Sequence, residues 1–176
     1  MLIIVEGGDG SGKSTLCKQL SELDNTDVVR FERGAQVSLT DYIELAMSTY
    51  NYVLDRSFIT DIVYRILDNG ERESLSFVQM ATLFTTGRIK VIYCETRTQY
   101  EDSIKRGEDN IVDKKLSDRL KDLYRVVLTF LEKYADIPVM SYNWKAGNLS
   151  EVCEFINTGK ILPKNKINHM EVRYGV

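Results

Sequence analysis

Gly7-Gly8-Asp9-Gly10-Ser11-Gly12-Lys13-Ser14 is the stretch that decides the fold. It fits G-x-x-x-x-G-K-[ST], the pattern of a loop that wraps phosphate groups. Its glycines let successive backbone N–H groups turn inward around phosphate oxygens. Lys13 places a positive charge at the far phosphates, and the Ser14 hydroxyl is the pattern's Mg²⁺ ligand. The flanks agree. Leu2-Ile3-Ile4-Val5 is a short apolar run suited to a strand buried on both faces. Behind the loop, Leu16, Leu20 and Leu23 recur at i, i+4 and i+7. That is one face of a helix whose N-terminus points at the phosphates. Strand, loop and helix together predict nucleoside triphosphate binding. The loop alone leaves a kinase, a GTPase, a motor and a regulatory ATPase open.

The 176 residues suggest one domain with a core large enough to need no staples. With a net charge of −3 and no basic excess, the composition argues against a nonspecific duplex-DNA binder. Cys17, Cys94 and Cys153 are far apart and lack metal-ligand spacing, so they read as buried thiols in a reducing compartment. His169 is the single histidine and falls in the C-terminal tail, which disfavours histidine general-base chemistry. The first residues already form a core strand, and no apolar run reaches membrane-spanning length. The expectation is a cytoplasmic protein with no membrane partner.

Apolar runs alternate with helical patterns, which predicts a parallel sheet with crossover helices. The expected strands are Leu2–Val5, Val28–Phe31, Tyr52–Leu54, Ile89–Cys94 and Val139–Tyr142. Ile59, Ile62, Val63, Ile66 and Leu67 mark a helix ending near Asp68-Asn69-Gly70, and Phe77, Ala81 and Phe84 mark another stopped by Gly87. The longest amphipathic segment runs from about Asp113 to Tyr134, with Leu116, Leu120, Leu123, Val127 and Leu131 on its inner face. A last helix covers Leu149 to Ile156. The domain therefore spans 1–159, with a tail over 160–176 that is either a surface arm or a loose end.

Three charged constellations accompany the loop. In Tyr52-Val53-Leu54-Asp55-Arg56-Ser57, an acid follows a buried strand and so sits at the carboxyl edge of the sheet, where open α/β sheets bind ligands. Asp55 then lies near Mg²⁺ and phosphates if its strand neighbours the first, and Arg56 has the fork shape that fits phosphate oxygens. Glu32-Arg33 repeats the arrangement after the strand Val28–Phe31. Lys105-Arg106-Gly107-Glu108-Asp109-Asn110 follows a short helix containing Tyr100 and Ile104. Such charge runs are usually solvated faces, but a mobile loop of this kind can also close cations over a departing phosphate.

Together these pieces resemble the thymidylate kinase-like branch of the P-loop nucleoside and nucleotide kinases. The family's loop reads E-G-x-D-G-x-G-K-[ST]-T, and Glu6 to Thr15 match it throughout. Asp55-Arg56 resembles the family's Asp-Arg motif, and Arg56-Ser57 resembles the Glu-Arg-Ser of deoxynucleoside kinases. The resemblance implies a P-loop NTPase three-layer α/β fold with a five-stranded parallel sheet flanked by helices, and a lid at about 105–113. It implies ATP and Mg²⁺, a small-molecule nucleotide or nucleoside acceptor, and a homodimer. Carried over to this chain, Gly8, Asp9, Gly10, Ser11, Gly12, Lys13, Ser14 and Thr15 would hold ATP, with Lys13 in a surface loop. Ser14 and Asp55 would serve the metal, Asp55 through water. Asp9, Glu32, Arg33 and Arg56 would bind the acceptor. Lys13, Arg56, Arg106, Glu32 and Asp55 would be catalytic: the three cations absorb charge, Arg106 from the lid, and Glu32 is the general base for a hydroxyl acceptor.

One departure bears on the acceptor. Thymidylate kinases place a long helical insertion between the second-strand acid and the Asp-Arg motif. Here only Arg33 to Leu54 intervene, with room for one short helix around Thr40 to Met47. Either Tyr42, Tyr50 or the helix near Gln79 holds the acceptor, or the site is open. The expected activity is transfer of the γ-phosphate to a deoxynucleotide (dTMP-like) or a deoxynucleoside. An open site gives the first alternative, phosphorylation of a hydroxyl on a modified base or terminus of DNA. The second, a non-kinase regulatory ATPase, gains little, because neither a guanine-reading Asn-Lys-x-Asp nor a motor-type acidic pair is found.

Overall fold

The computed structural model describes residues 1–31, 37–68, 70, 75–107 and 113–167. Its strands are β1 (Leu2–Glu6), β2 (Thr26–Val29), β3 (Asn51–Asp55), β4 (Ile89–Cys94) and β5 (Val139–Tyr142). They form one five-stranded sheet in the order β2-β3-β1-β4-β5, and every pairing is parallel. The helices are α1 (Lys13–Leu20), α2 (Leu39–Met47), α3 (Phe58–Leu67), α4 (Phe77–Phe84), α5 (Gln99–Lys105), α6 (Lys114–Ala135) and α7 (Leu149–Thr158).

The apolar run of β1 explains the three layers. Successive side chains on a strand point to opposite faces, so Leu2 and Ile4 enter one core and Ile3 and Val5 the other. The first core is closed by Tyr42 and Ala46 of α2, Phe58, Ile59 and Val63 of α3, Leu83 of α4, and the inner face of α6. The second is closed by Leu16, Cys17 and Leu20 of α1 and by Val152, Phe155 and Ile156 of α7. A strand covered on both faces cannot alternate polar with apolar, hence the unbroken Leu-Ile-Ile-Val.

Two expectations shift. The second strand is Thr26–Val29 rather than Val28–Phe31. It is an edge strand whose register is set by pairing Thr26 with Asn51 and Val29 with Leu54, and Val28 is 39% exposed. On α6 the buried stripe is Ser117, Leu120, Tyr124, Val127, Leu128 and Leu131, while Leu116 and Leu123 are only half-buried. The helix rotates to seat Tyr124, which stacks on Tyr93 of β4 at 5.7 Å and reaches Thr60 of α3 with its hydroxyl.

Cys17 and Cys94 are buried, and burial pushes the Cys17 thiol up to about 12 and raises Cys94 as well. Cys153 is half-buried instead, because Val152, Phe155 and Ile156 take the core side of α7. The described part of the tail lies against this helix. Lys164 and Asn165 bind Glu151 at 2.6 and 3.0 Å, and Ile167 enters the core at 3% exposure. His169 lies outside the described residues. No described helix is long and apolar enough to cross a membrane.

Candidate active site

The carboxyl ends of β1 and β3 lie side by side, with Val5 paired to Asp55. Both chains leave the sheet there, one into the glycine-rich loop and α1, the other into Arg56 and α3. Gly12 closes the loop in the left-handed region (φ 92°) and caps α1 without a side chain, so the first N–H groups of that helix are left to face a ligand. Gly10 (φ 74°) sits so close to α5 that a Cβ there would collide with the Gln99 carbonyl and the Ser103 N–H. Ser14 and Thr15 are exposed on the first turn.

Lys13 is not on the surface as the sequence suggested. It is 6% exposed, and its Nζ donates to the Gly8 carbonyl at 2.8 Å. The side chain curls back across the loop, and burial, with the Arg56 charge added, lowers its pKa. An ammonium held in this way gains strongly from an incoming polyphosphate, because little solvent screens it.

Arg56 reaches over the loop to Asp9, its Nη2 donating to Oδ1 at 2.5 Å. The two residues follow different strands, Asp9 after β1 and Arg56 after β3, and the fold brings them together. Arg56 itself has φ 72°. For a residue with a Cβ this conformation costs about 1–2 kcal/mol and is kept only where the surroundings impose it. Here its backbone N–H donates to the Val5 carbonyl at 3.1 Å, and Ser57 begins α3 by accepting from the Ile59 N–H at 3.1 Å.

Asp55 ends β3 and is 6% exposed. Its Oδ2 lies 3.9 Å from Arg30 Nε, and its Oδ1 is buried with no hydrogen-bond partner. A free carboxylate oxygen and the Ser14 hydroxyl beside a phosphate cradle are hard oxygen donors, the set that suits Mg²⁺ shared with phosphates. Glu32 and Arg33 lie outside the described residues, as do 108–112 of the expected lid. Arg106, at the C-terminal end of α5, stands 5.7 Å over the Trp144 ring.

Three groups here escaped sequence reasoning. Trp144 follows β5 and seats its ring where a Cβ of Gly12 would be, so it walls the phosphate loop. Lys145 beside it ties that segment to α5, with Nζ at 2.6 Å from Thr98 Oγ1 and 2.9 Å from Asp102 Oδ1. The available signal was the chain's single tryptophan in a polar stretch after a strand's carboxyl end. The third is Glu6, quoted in the loop pattern but given no role. It is fully buried, accepting from Ser57 Oγ and Thr60 Oγ1 at 2.7 Å each. An acid ending an apolar strand was the same signal that singled out Asp55.

Burial pushes the Glu6 carboxyl up to about 7, against the pull of the Thr60 and Ser57 hydroxyls and the Lys13 and Arg56 charges. Its ordinary value is 4.5, so the folded chain holds this proton to higher pH than the unfolded one does. The stability Glu6 contributes is full below about 4.5 and is lost as pH rises through about 7. Denaturant melts of the wild type and Glu6→Gln should diverge across that window, with the wild type losing ground as pH rises. A difference independent of pH would contradict it.

The candidate acceptor holders fall in three different places. Tyr42 is 2% exposed in the core, edge-on to Phe58 at 5.3 Å. Tyr50 precedes β3, at the opposite edge of the sheet, and its carbonyl accepts from the N-terminal amine. Gln79 turns back on its own helix, its Oε1 accepting from the Ser76 N–H at 2.8 Å. The Tyr42 hydroxyl meets the Phe58 backbone at the start of α3, two residues after Arg56.

No protein-family model and no curated protein matches the sequence. Solved structures do match the fold. YorR protein from Bacillus subtilis, in complex with phosphorylated GDP, superposes with a TM-score of 0.69 at 21% identity, over 89% of this chain and 94% of that one. Deoxyadenosine kinase from M. mycoides with bound dCTP gives 0.54 at 17% identity, over 89% and 97%. Thymidylate kinase from Candida albicans gives 0.55 at 17% identity, over 89% and 91%. The fold is that of the thymidylate kinase-like P-loop kinases. The expected three-layer architecture with its five parallel strands is therefore what the chain adopts.

Proposed function

We propose that this chain is an ATP-dependent phosphotransferase that moves the γ-phosphate to a deoxynucleotide (dTMP-like) or a deoxynucleoside. The observation that carries the reading is the Arg56–Asp9 pair at 2.5 Å, which sets acceptor-side groups on the rim of the donor loop. The structural neighbours, a deoxyadenosine kinase and a thymidylate kinase among them, support kinase chemistry on this fold.

Catalysis is positioning plus charge neutralisation. The loop N–H groups from Gly8 to Ser14 hold the donor phosphates. Lys13 releases the Gly8 carbonyl for a phosphoryl oxygen, and Arg56 and Arg106 neutralise charge on the transferring group and the acceptor. Ser14 and, through water, Asp55 would hold Mg²⁺, which would supply further neutralisation. A phosphate acceptor is already ionised and needs no base. A hydroxyl acceptor needs one, and Glu32 is the residue proposed for it.

A second reading keeps a DNA terminus or modified base as acceptor. Its support is that Tyr50 lies at the opposite edge of the sheet and Gln79 is engaged in capping its own helix, so neither is free to hold a small acceptor. One screen separates the readings: ATP and Mg²⁺ with panels of deoxynucleosides, deoxynucleotides and oligonucleotides. Transfer to a free deoxynucleotide or deoxynucleoside, dTMP tested first, is expected. Transfer to oligonucleotides alone moves the assignment to the second reading, and brisk ATP hydrolysis without any acceptor removes both. Donor binding has its own signal. Trp144 is the sole tryptophan and rests on Gly12, so ATP should change its fluorescence saturably, and unchanged emission at millimolar ATP would count against the site.

A further inference from the structure

We propose that Glu6 is a positioning residue for Arg56: by accepting the Ser57 and Thr60 hydroxyl protons, its carboxylate fixes the β3–α3 corner so that Arg56 is aimed at the phosphate loop. The inference rests on the kinase reading only for the task that Arg56 performs.

The hydrogen bonds around Glu6 have one consistent direction. The Ile59 N–H donates to Ser57 Oγ, so the single Ser57 hydroxyl proton goes to Glu6 Oε1. Thr60 gives its only proton to Glu6 Oε2, so across the 3.0 Å contact the Tyr124 hydroxyl is the donor to Thr60. Every proton is used when Glu6 is an anion. A protonated carboxyl, or a glutamine, brings a donor to one of two places that need an acceptor, and one hydroxyl must turn away.

The corner held in this way is the one that contains Arg56. Its left-handed backbone persists only if the surroundings over-determine it. The end of β1 grips the corner twice, by the Val5 carbonyl on the Arg56 N–H and by the Glu6 carboxylate on the next residue. The groups that face Glu6 are Ser57 and Thr60 at the start of α3, Tyr124 from α6, Lys13 from α1 and Arg56 itself. The buried thiols Cys17 and Cys94 and the Tyr42 hydroxyl also sense its charge. Burial moves its ionisation to near neutrality, so ordinary pH changes test the device.

A merely structural Glu6 would hold the fold and leave Arg56 indifferent to its charge. The test is an NMR titration of the full chain, labelled with ¹³C at glutamate and ¹⁵N at arginine, between about pH 5 and about pH 9. In the wild type the Arg56 Nε–H signal should move with the same midpoint as the Glu6 δ-carbon. In Glu6→Gln it should stay at its low-pH position throughout. On the acceptor identified by the screen, Glu6→Gln should lower kcat about tenfold with KM for ATP within about twofold, and the acid limb of the pH profile should vanish. Ser57→Ala added to Glu6→Gln should lower kcat no further, because both changes reach Arg56 through one link, while the lost α3 cap lowers stability alone. An Arg56 signal that ignores Glu6 ionisation in the wild type overturns the inference, and that measurement needs no variant to fold. If the wild type transfers phosphate to no acceptor, the kinase reading fails, and the Arg56 signal still decides whether Glu6 positions it.

Discussion

Replacing Lys13 by alanine is expected to lower phosphoryl transfer by about 10³-fold while the protein stays folded. The reason is the site that the ammonium occupies. Lys13 is 6% exposed, reaches across the loop to the Gly8 carbonyl at 2.8 Å, and is held below its usual pKa by burial. A charge removed from solvent acts on a developing phosphoryl charge with little screening. The same burial makes the lysine costly to the fold, since its hydrogen-bond partner is a neutral carbonyl. Alanine removes the charge together with the apolar stem and leaves a gap. Lys13→Met keeps the stem, so it should be as inactive as the alanine variant yet melt at or above the wild-type temperature. Transfer assays and thermal melts of the two variants check both halves. Retained transfer in either would remove Lys13 from the chemistry, and a methionine variant that melts well below the wild type would refute the account of its burial.

Arg56→Ala is expected to cost about 10² to 10³ in transfer, by the same neutralisation argument. Arg56→Gly should be equally inactive but more stable than Arg56→Ala by about 1 kcal/mol. Both variants lose the pairing with Asp9 at 2.5 Å, so that contribution cancels between them. What differs is the backbone at φ 72°, which alanine resists and glycine accepts. Denaturant melts of the pair read this difference, and transfer assays read the shared loss. If the two were equally stable, the corner would not be strained. If either kept its activity, Arg56 would not act on the transferring group.

Legibility in the sequence followed how local the determining interaction is. The run Ile89–Cys94 was readable to the residue, because a strand between β1 and β5 is covered on both faces and is apolar but for the half-buried Lys90. β2 was misplaced by two positions because an edge strand takes its register from its neighbour and not from its own hydrophobicity. The phosphate loop was legible because its glycines and Lys13 work through backbone and side chain within eight residues. Tyr124 was not, because a polar-tipped ring turns inward only where Tyr93 and Thr60 await it. Trp144 is 132 positions from Gly12, and no pattern along the chain links them.

From sequence alone, the phosphate-binding loop, its strand and helix, and the parallel α/β class were determined, since these are set by spacing, by glycine and by hydrophobic period. The tertiary structure decided the rest. It placed β3 beside β1 and so brought Arg56 to Asp9 and Ser57 to Glu6, pairings 47 and 51 residues apart. It also buried Lys13 and Glu6, whose chemistry depends on what surrounds them more than on what they are. Burial and long-range contact belong to the packed chain, and composition and periodicity do not record them.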